Sequence, residues 1–146
     1  MGKEYSIERY LVFSSKKVGK KIKRLVDVVR IYPYRPVERG KPLFEARVGR
    51  DYVVAFLNAL SAPYKIYNNV IIVEGEDPDY YVRRLVIYTG VKQFLEAVPR
   101  ELMDIAVNAS EIEAVFWYSK FVEAYENIGY WGVYRVAKAL RTIYRL

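Results

Sequence analysis

The chain has 146 residues, 53% of them hydrophobic, which suffices for one domain with a sizeable core. Its 24 lysines and arginines exceed its 17 acids to give a formal net charge of +7, and it contains neither cysteine nor histidine. Disulfides, thiolate nucleophiles, Cys/His zinc sites and any imidazole base or triad are therefore excluded, leaving carboxylate, lysine, tyrosine and hydroxyl chemistry or a magnesium site of oxygen ligands.

The charge is divided along the chain. Residues 1–50 hold 14 cations and 5 acids, residues 51–126 hold 6 and 12, and residues 127–146 hold 4 and none. Basic ends flank an acidic middle, and a fold that joins the ends would create one patch of strong positive potential. No apolar run approaches the length of a membrane span, and the opening MGKEYSIERY lacks the apolar segment of a signal peptide. The expectation is a soluble, cytoplasmic protein with no membrane span. Fifteen tyrosines, two methionines and no cysteine also suit a thermophilic protein.

In chain order, Tyr5 to Phe13 alternates as a strand does, with Ile7, Arg9, Leu11 and Phe13 on one side and Glu8, Tyr10 and Val12 on the other. The densest charge follows, with Lys16, Lys17, Lys20, Lys21, Lys23 and Arg24 occupying six of nine positions. Val18, Ile22, Leu25, Val26 and Val29 fit an amphipathic helix there. Gly19 and the β-rich run Val26 to Tyr32 favour instead a hairpin with the cations at its tip, and lysines in a first helical turn would oppose the helix dipole. The hairpin is preferred. Residues 31–42 read as a connection broken by Pro33, Pro36, Gly40 and Pro42, with Tyr32, Tyr34, Arg35 and Arg39 interleaved in a way that suits either loop packing or stacking on bases.

Leu43 to Val48 predicts a short strand, and Asp51 is expected to cap a helix through Leu60 that buries Val53, Val54, Phe56, Leu57 and Leu60. Tyr64 to Val73 and Tyr80 to Tyr88 read as strands, with Gly90 closing the sheet before helices that start at Val91 and Pro99. Glu96 and Arg100 are spaced to pair across a helical turn.

The last third has the clearest pattern. Ser110 and Glu113 have capping-box spacing, Ile112, Val115, Phe116 and Val122 recur at helical period, and Gly129 after Ile128 marks a helix end. A second helix from Tyr130 carries Val133, Val136, Ala137, Leu140, Ile143 and Tyr144 on an apolar stripe. Tyr134, Lys138, Arg141 and Arg145 fall on another face at i, i+4, i+7 and i+11. These cations suit both the dipole of a helix C-terminus and contact with phosphates.

The run Val70-Ile71-Ile72-Val73-Glu74-Gly75-Glu76-Asp77 resembles the opening of a Toprim domain, the module of primases, topoisomerases and small RNA-processing nucleases. The resemblance covers eight residues. It implies that Glu74, at the end of an apolar strand, works with a later Asp-x-Asp pair and magnesium on a phosphodiester. Asp77-Pro78-Asp79 supplies those letters directly behind Glu74, whereas no later segment ends a strand in Asp-x-Asp. Gly19-Lys20-Lys21 lacks the preceding glycine and the hydroxyl residue of a P-loop.

These features predict a single α+β domain over residues 1–146. A mixed or antiparallel sheet of about five strands packs with helices; residues 1–90 are mostly strand with one helix, and residues 91–146 are helical, ending in a helical hairpin. The first functional expectation is a non-enzymatic accessory protein that binds RNA or single-stranded DNA through Lys16, Lys17, Lys20, Lys21, Lys23, Arg24, Lys138, Arg141 and Arg145, without cofactor or metal. A second is a structural or assembly subunit, or a homodimer, that docks through Phe116, Trp117, Tyr118, Phe121, Tyr125, Tyr130 and Trp131, more aromatics than one stripe buries. A third is a magnesium-dependent nuclease using Glu74, Asp77 and Asp79.

Overall fold

Alternation with period two gives the first part of the chain a sheet with one face on the core, while Ser6, Glu8, Val28, Tyr32 and Ile72 on the other face are buried as well. The computed structural model describes residues 4–13, 25–33 and 40–146. In it β1 (Tyr5–Phe13) pairs antiparallel with β2 (Leu25–Pro33), with Phe13 opposite Leu25. Three shorter strands follow: β3 (Phe44–Ala46), β4 (Tyr64–Tyr67) and β5 (Val70–Val73). The order is β3-β2-β1-β5-β4 and every pairing is antiparallel. Phe44, Ile31, Ile7 and Ile71 stand opposite one another from strand to strand, and all are buried. Tyr5, Val29, Ala46 and Val73 widen that row into the floor of the core.

Among the described residues five helices follow: α1 (Arg50–Ala59), α2 (Pro78–Lys92), α3 (Arg100–Asn108), α4 (Glu111–Ile128) and α5 (Tyr130–Tyr144). None is long and apolar enough to cross a membrane. The architecture is α+β and ends in a helical hairpin, as the sequence predicts. At its centre lies α2, where every residue from Arg84 to Lys92 is buried. A helix that is apolar nearly all round must be enclosed, and α2 packs against the other four helices as well as β3 and β5. Tyr88 stacks on Phe56 of α1 at 4.6 Å. The Arg84 guanidinium donates to the carbonyls of Tyr80 (2.9 Å) and Ala109 (2.7 Å), so it ties α2 to the junction between α3 and α4.

Several expectations are corrected. Tyr80 to Tyr88 is not a strand but the middle of α2, which runs through Gly90, so the described part of residues 1–90 holds two helices rather than the one expected. A continuous run of β-branched and aromatic residues fits a buried strand and a buried helix equally. The deciding signals are local, namely the Asp77 carboxylate accepting from the Tyr80 N–H and Pro78 in the first turn. Tyr64 to Val73 is a hairpin, turned at Asn68-Asn69 with Asn68 at φ 52°. Pro33 ends β2, which removes residues 31–33 from the expected connection. Gly49, not Asp51, occupies the N-cap of α1, and Asp51 sits in its first turn. Glu96 precedes α3, so it does not share a helix with Arg100.

In α4 two apolar stripes interleave, and the expected one is largely on the wrong side. Ala114, Trp117 and Phe121 are buried, whereas Ile112 is 84% exposed and Val115 and Phe116 also face solvent. In α5 Val133, Ala137 and Leu140 are buried as predicted, while Ile143 is exposed.

Ser110 is the N-cap of α4 and its Oγ accepts from the Glu113 N–H at 3.2 Å. The Glu113 carboxylate takes the Ser110 hydroxyl (3.1 Å) and the Tyr144 hydroxyl of α5 (2.5 Å), a variation on the reciprocal amide bond of the capping box. Ser110→Ala is expected to cost about 1 kcal/mol, read from urea midpoints. The Tyr144 bond first, then Ser110, hold the Glu113 carboxyl below its ordinary value of 4.5. A depressed folded value means stability that is complete above 4.5 and lost as pH falls through the folded value. Glu113→Gln should therefore destabilise the protein at neutral pH, with the deficit shrinking steadily under acid in paired denaturation curves.

Candidate functional site

The polar face of α5 is fixed in place by the opposite face of the same helix. Gly129, at φ 72° and ψ −145°, turns the chain between α4 and α5. Gly132 then lets the helices approach until a Cβ there would lie 2.7 Å from the Ala124 carbonyl oxygen. At the far end the Tyr144–Glu113 hydrogen bond ties α5 back to the start of α4. A helix anchored at both ends presents its outer side chains in a set geometry.

On that outer side, Tyr134, Lys138, Arg141 and Arg145 line a cavity of about 460 Å³ together with Thr142 and Phe94, which follows α2. The face predicted from spacing is therefore assembled, although Arg145 lies just beyond the regular helix. It is the C-cap, left-handed at φ 58° and ψ 44°, and the Leu146 N–H donates to the Arg141 carbonyl at 2.9 Å. Among the described residues none of the three cations forms an ion pair. Arg141 Nε is buried and, among the described residues, has no hydrogen-bond acceptor. A charged donor removed from water without an acceptor is costly.

Aromatic side chains continue the site toward the start of α5. Tyr134 stacks with Trp131 at 5.4 Å and 20°, and meets Phe94 edge-on at 5.1 Å. Phe94 also contacts Tyr130 at 5.0 Å, and the Arg47 guanidinium lies over the Tyr130 ring at 4.2 Å. Gln93 helps to position Arg47 by accepting its backbone N–H at 3.0 Å. Sequence reasoning missed Phe94, Thr142 and Arg47. Phe94 and Arg47 are remote from α5 in sequence, and only the enclosure of α2 by the other helices brings them there. Thr142 was legible from its position one turn beyond Lys138.

Lys16, Lys17, Lys20, Lys21, Lys23 and Arg24, with Tyr34, Arg35 and Arg39, lie outside the described residues. Of the aromatic group, Trp117 and Phe121 are buried, Tyr118 and Tyr125 half-buried, and Phe116, Tyr130 and Trp131 exposed. Glu74 follows β5 and pairs with Lys65 at 3.2 Å, Asp77 caps α2, and Asp79 accepts from the Tyr5 hydroxyl. Each carboxylate is thus engaged separately, and among the described residues no group of three acidic side chains is placed to hold a metal ion.

Comparison of the chain with protein families, with curated proteins and with solved structures finds no match.

Proposed function

We propose that this is a non-enzymatic nucleic-acid-binding accessory protein that holds RNA or single-stranded DNA by its phosphates at α5. One observation carries the reading: among the described residues, Lys138, Arg141 and Arg145 share a cavity without ion-pair partners, and Arg141 adds a buried donor that lacks an acceptor. Three cations side by side repel one another unless an anion joins them, and guanidinium groups match phosphate oxygens in geometry as well as charge. Residues 127–146 contain no acidic side chain, so no side-chain carboxylate on α5 opposes a polyanion. The cluster Lys16 to Arg24 belongs to the same proposal as a second run of phosphate contacts.

Binding of labelled single-stranded RNA, single-stranded DNA and duplex DNA across a salt series tests this reading. The expected result is submicromolar affinity at low salt that falls steeply as salt rises. Absence of binding at low salt sinks it.

The outer face of α4 favours a second reading, a docking subunit or homodimer, because Ile112 and Phe116 are exposed one turn apart. Sedimentation of the purified protein separates the two: on this reading it self-associates, and Phe116→Glu disperses it.

A further inference from the structure

We propose that Trp131 and Tyr134 form a stacking platform for unpaired bases, so that the α5 site selects single-stranded nucleic acid over duplex. This rests on the phosphate reading and adds the feature that determines specificity. Trp131 is 61% exposed, an unusual setting for the largest apolar side chain, yet it is not loose. Its indole stacks on Tyr134, Tyr134 is braced edge-on by Phe94, and Phe94 in turn contacts Tyr130 beneath Arg47. Support from behind pre-organises an aromatic surface, so little side-chain freedom is lost when a flat partner adds to the stack.

The position of the platform identifies its occupant. Trp131, Tyr134, Lys138, Arg141 and Arg145 follow one another along α5, and Tyr134 belongs both to the aromatic stack and to the lining of the cationic cavity. At 1.5 Å per residue the stripe from Trp131 to Arg141 is about 15 Å long, room for several nucleotides of an extended strand. A strand whose phosphates occupy the cavity therefore carries its neighbouring bases to the indole. In a duplex those base faces are already stacked and paired, which leaves only the phosphate contacts. Every base has a π-face, so the platform discriminates strandedness and tolerates sequence.

The test uses the full chain with fluorescent oligo(dT), an abasic oligomer of the same length, and a duplex, followed by anisotropy and by tryptophan emission. Trp117 is buried and Trp131 exposed, which makes emission a reporter of the platform. The proposal expects oligo(dT) to quench emission and the abasic oligomer to bind about tenfold more weakly without quenching. Trp131→Ala should weaken oligo(dT) binding about tenfold and leave abasic binding unchanged, and Trp131→Phe should recover part of the loss. Trp131→Ala that binds oligo(dT) as tightly as wild type, or that weakens both oligomers equally, overturns the platform while leaving the phosphate reading standing. If wild-type protein binds neither oligomer, both readings fall together.

Discussion

Replacing Lys138, Arg141 and Arg145 together by alanine is expected to weaken single-stranded RNA binding about 100-fold near 0.1 M salt. The estimate follows from counterion release, where each phosphate contact on a single strand adds roughly 0.7 to the slope of log affinity against log salt. Three contacts make a slope change of about two, or about two decades of affinity at that salt. The fold should survive, because the three side chains are outside the core and form no ion pairs among the described residues. Thermal melts should show little change, since cations at a helix C-terminus contribute about 0.3–1 kcal/mol each through the dipole and also repel one another, and the partly buried Arg141 lacks an acceptor for its Nε–H among the described residues. Equal affinities and equal salt slopes for the two proteins would remove α5 from the binding surface.

A second large effect concerns the contact that holds the site-bearing hairpin on α2. Phe121→Ala should cost about 3–5 kcal/mol, because its ring is fully buried, meets Phe44 edge-on at 6.2 Å and packs directly on Gly90. Gly90 is there for closeness of approach. A Cβ at that position would lie 2.7 Å from Phe121 Cε1 and 2.8 Å from Cδ1, inside any real contact distance. Gly90→Ala is therefore expected to destabilise the wild-type protein by about 1–3 kcal/mol of overpacking, less about 1 kcal/mol from better helix propensity. In the Phe121→Ala background the obstructing ring is gone, and the same Gly90→Ala change should become stabilising. Urea denaturation of the four proteins in this cycle reads the change of sign; additive effects would show that α2 and α4 do not meet at this pair.

How far the sequence foretold this molecule depended on whether each signal was local. Ser110 and Gly129 set the bounds of α4 by their own hydrogen bonding and backbone angles, and those bounds were read correctly. So was the face carrying Tyr134, Lys138 and Arg141, since helical spacing alone puts those residues together. The failure at Tyr80 to Tyr88 had a different origin. Burial on all sides erases the amphipathic pattern, so α2 shows no period for a reader to find. In α4 periodicity supported two stripes, and what ranked them was the presence of Gly90 on a neighbouring helix, a tertiary fact. The site was accordingly half legible. Its cations were visible as a row, while Phe94 and Arg47 reach it only through the packing of the elements that carry them.

The central claim is that the Arg141 guanidinium, which lines the cavity, receives a phosphate, and its Nε–H reports on that contact. Its nitrogen–proton resonance can be observed directly in isotope-labelled protein and assigned by its absence from Arg141→Lys. Titration with short oligo(U) should shift that resonance and slow its exchange with water, at the same ratio that saturates binding. An Arg141 signal that stays unmoved while the oligonucleotide binds and perturbs other arginines would contradict the account and place the phosphate contacts elsewhere on the chain.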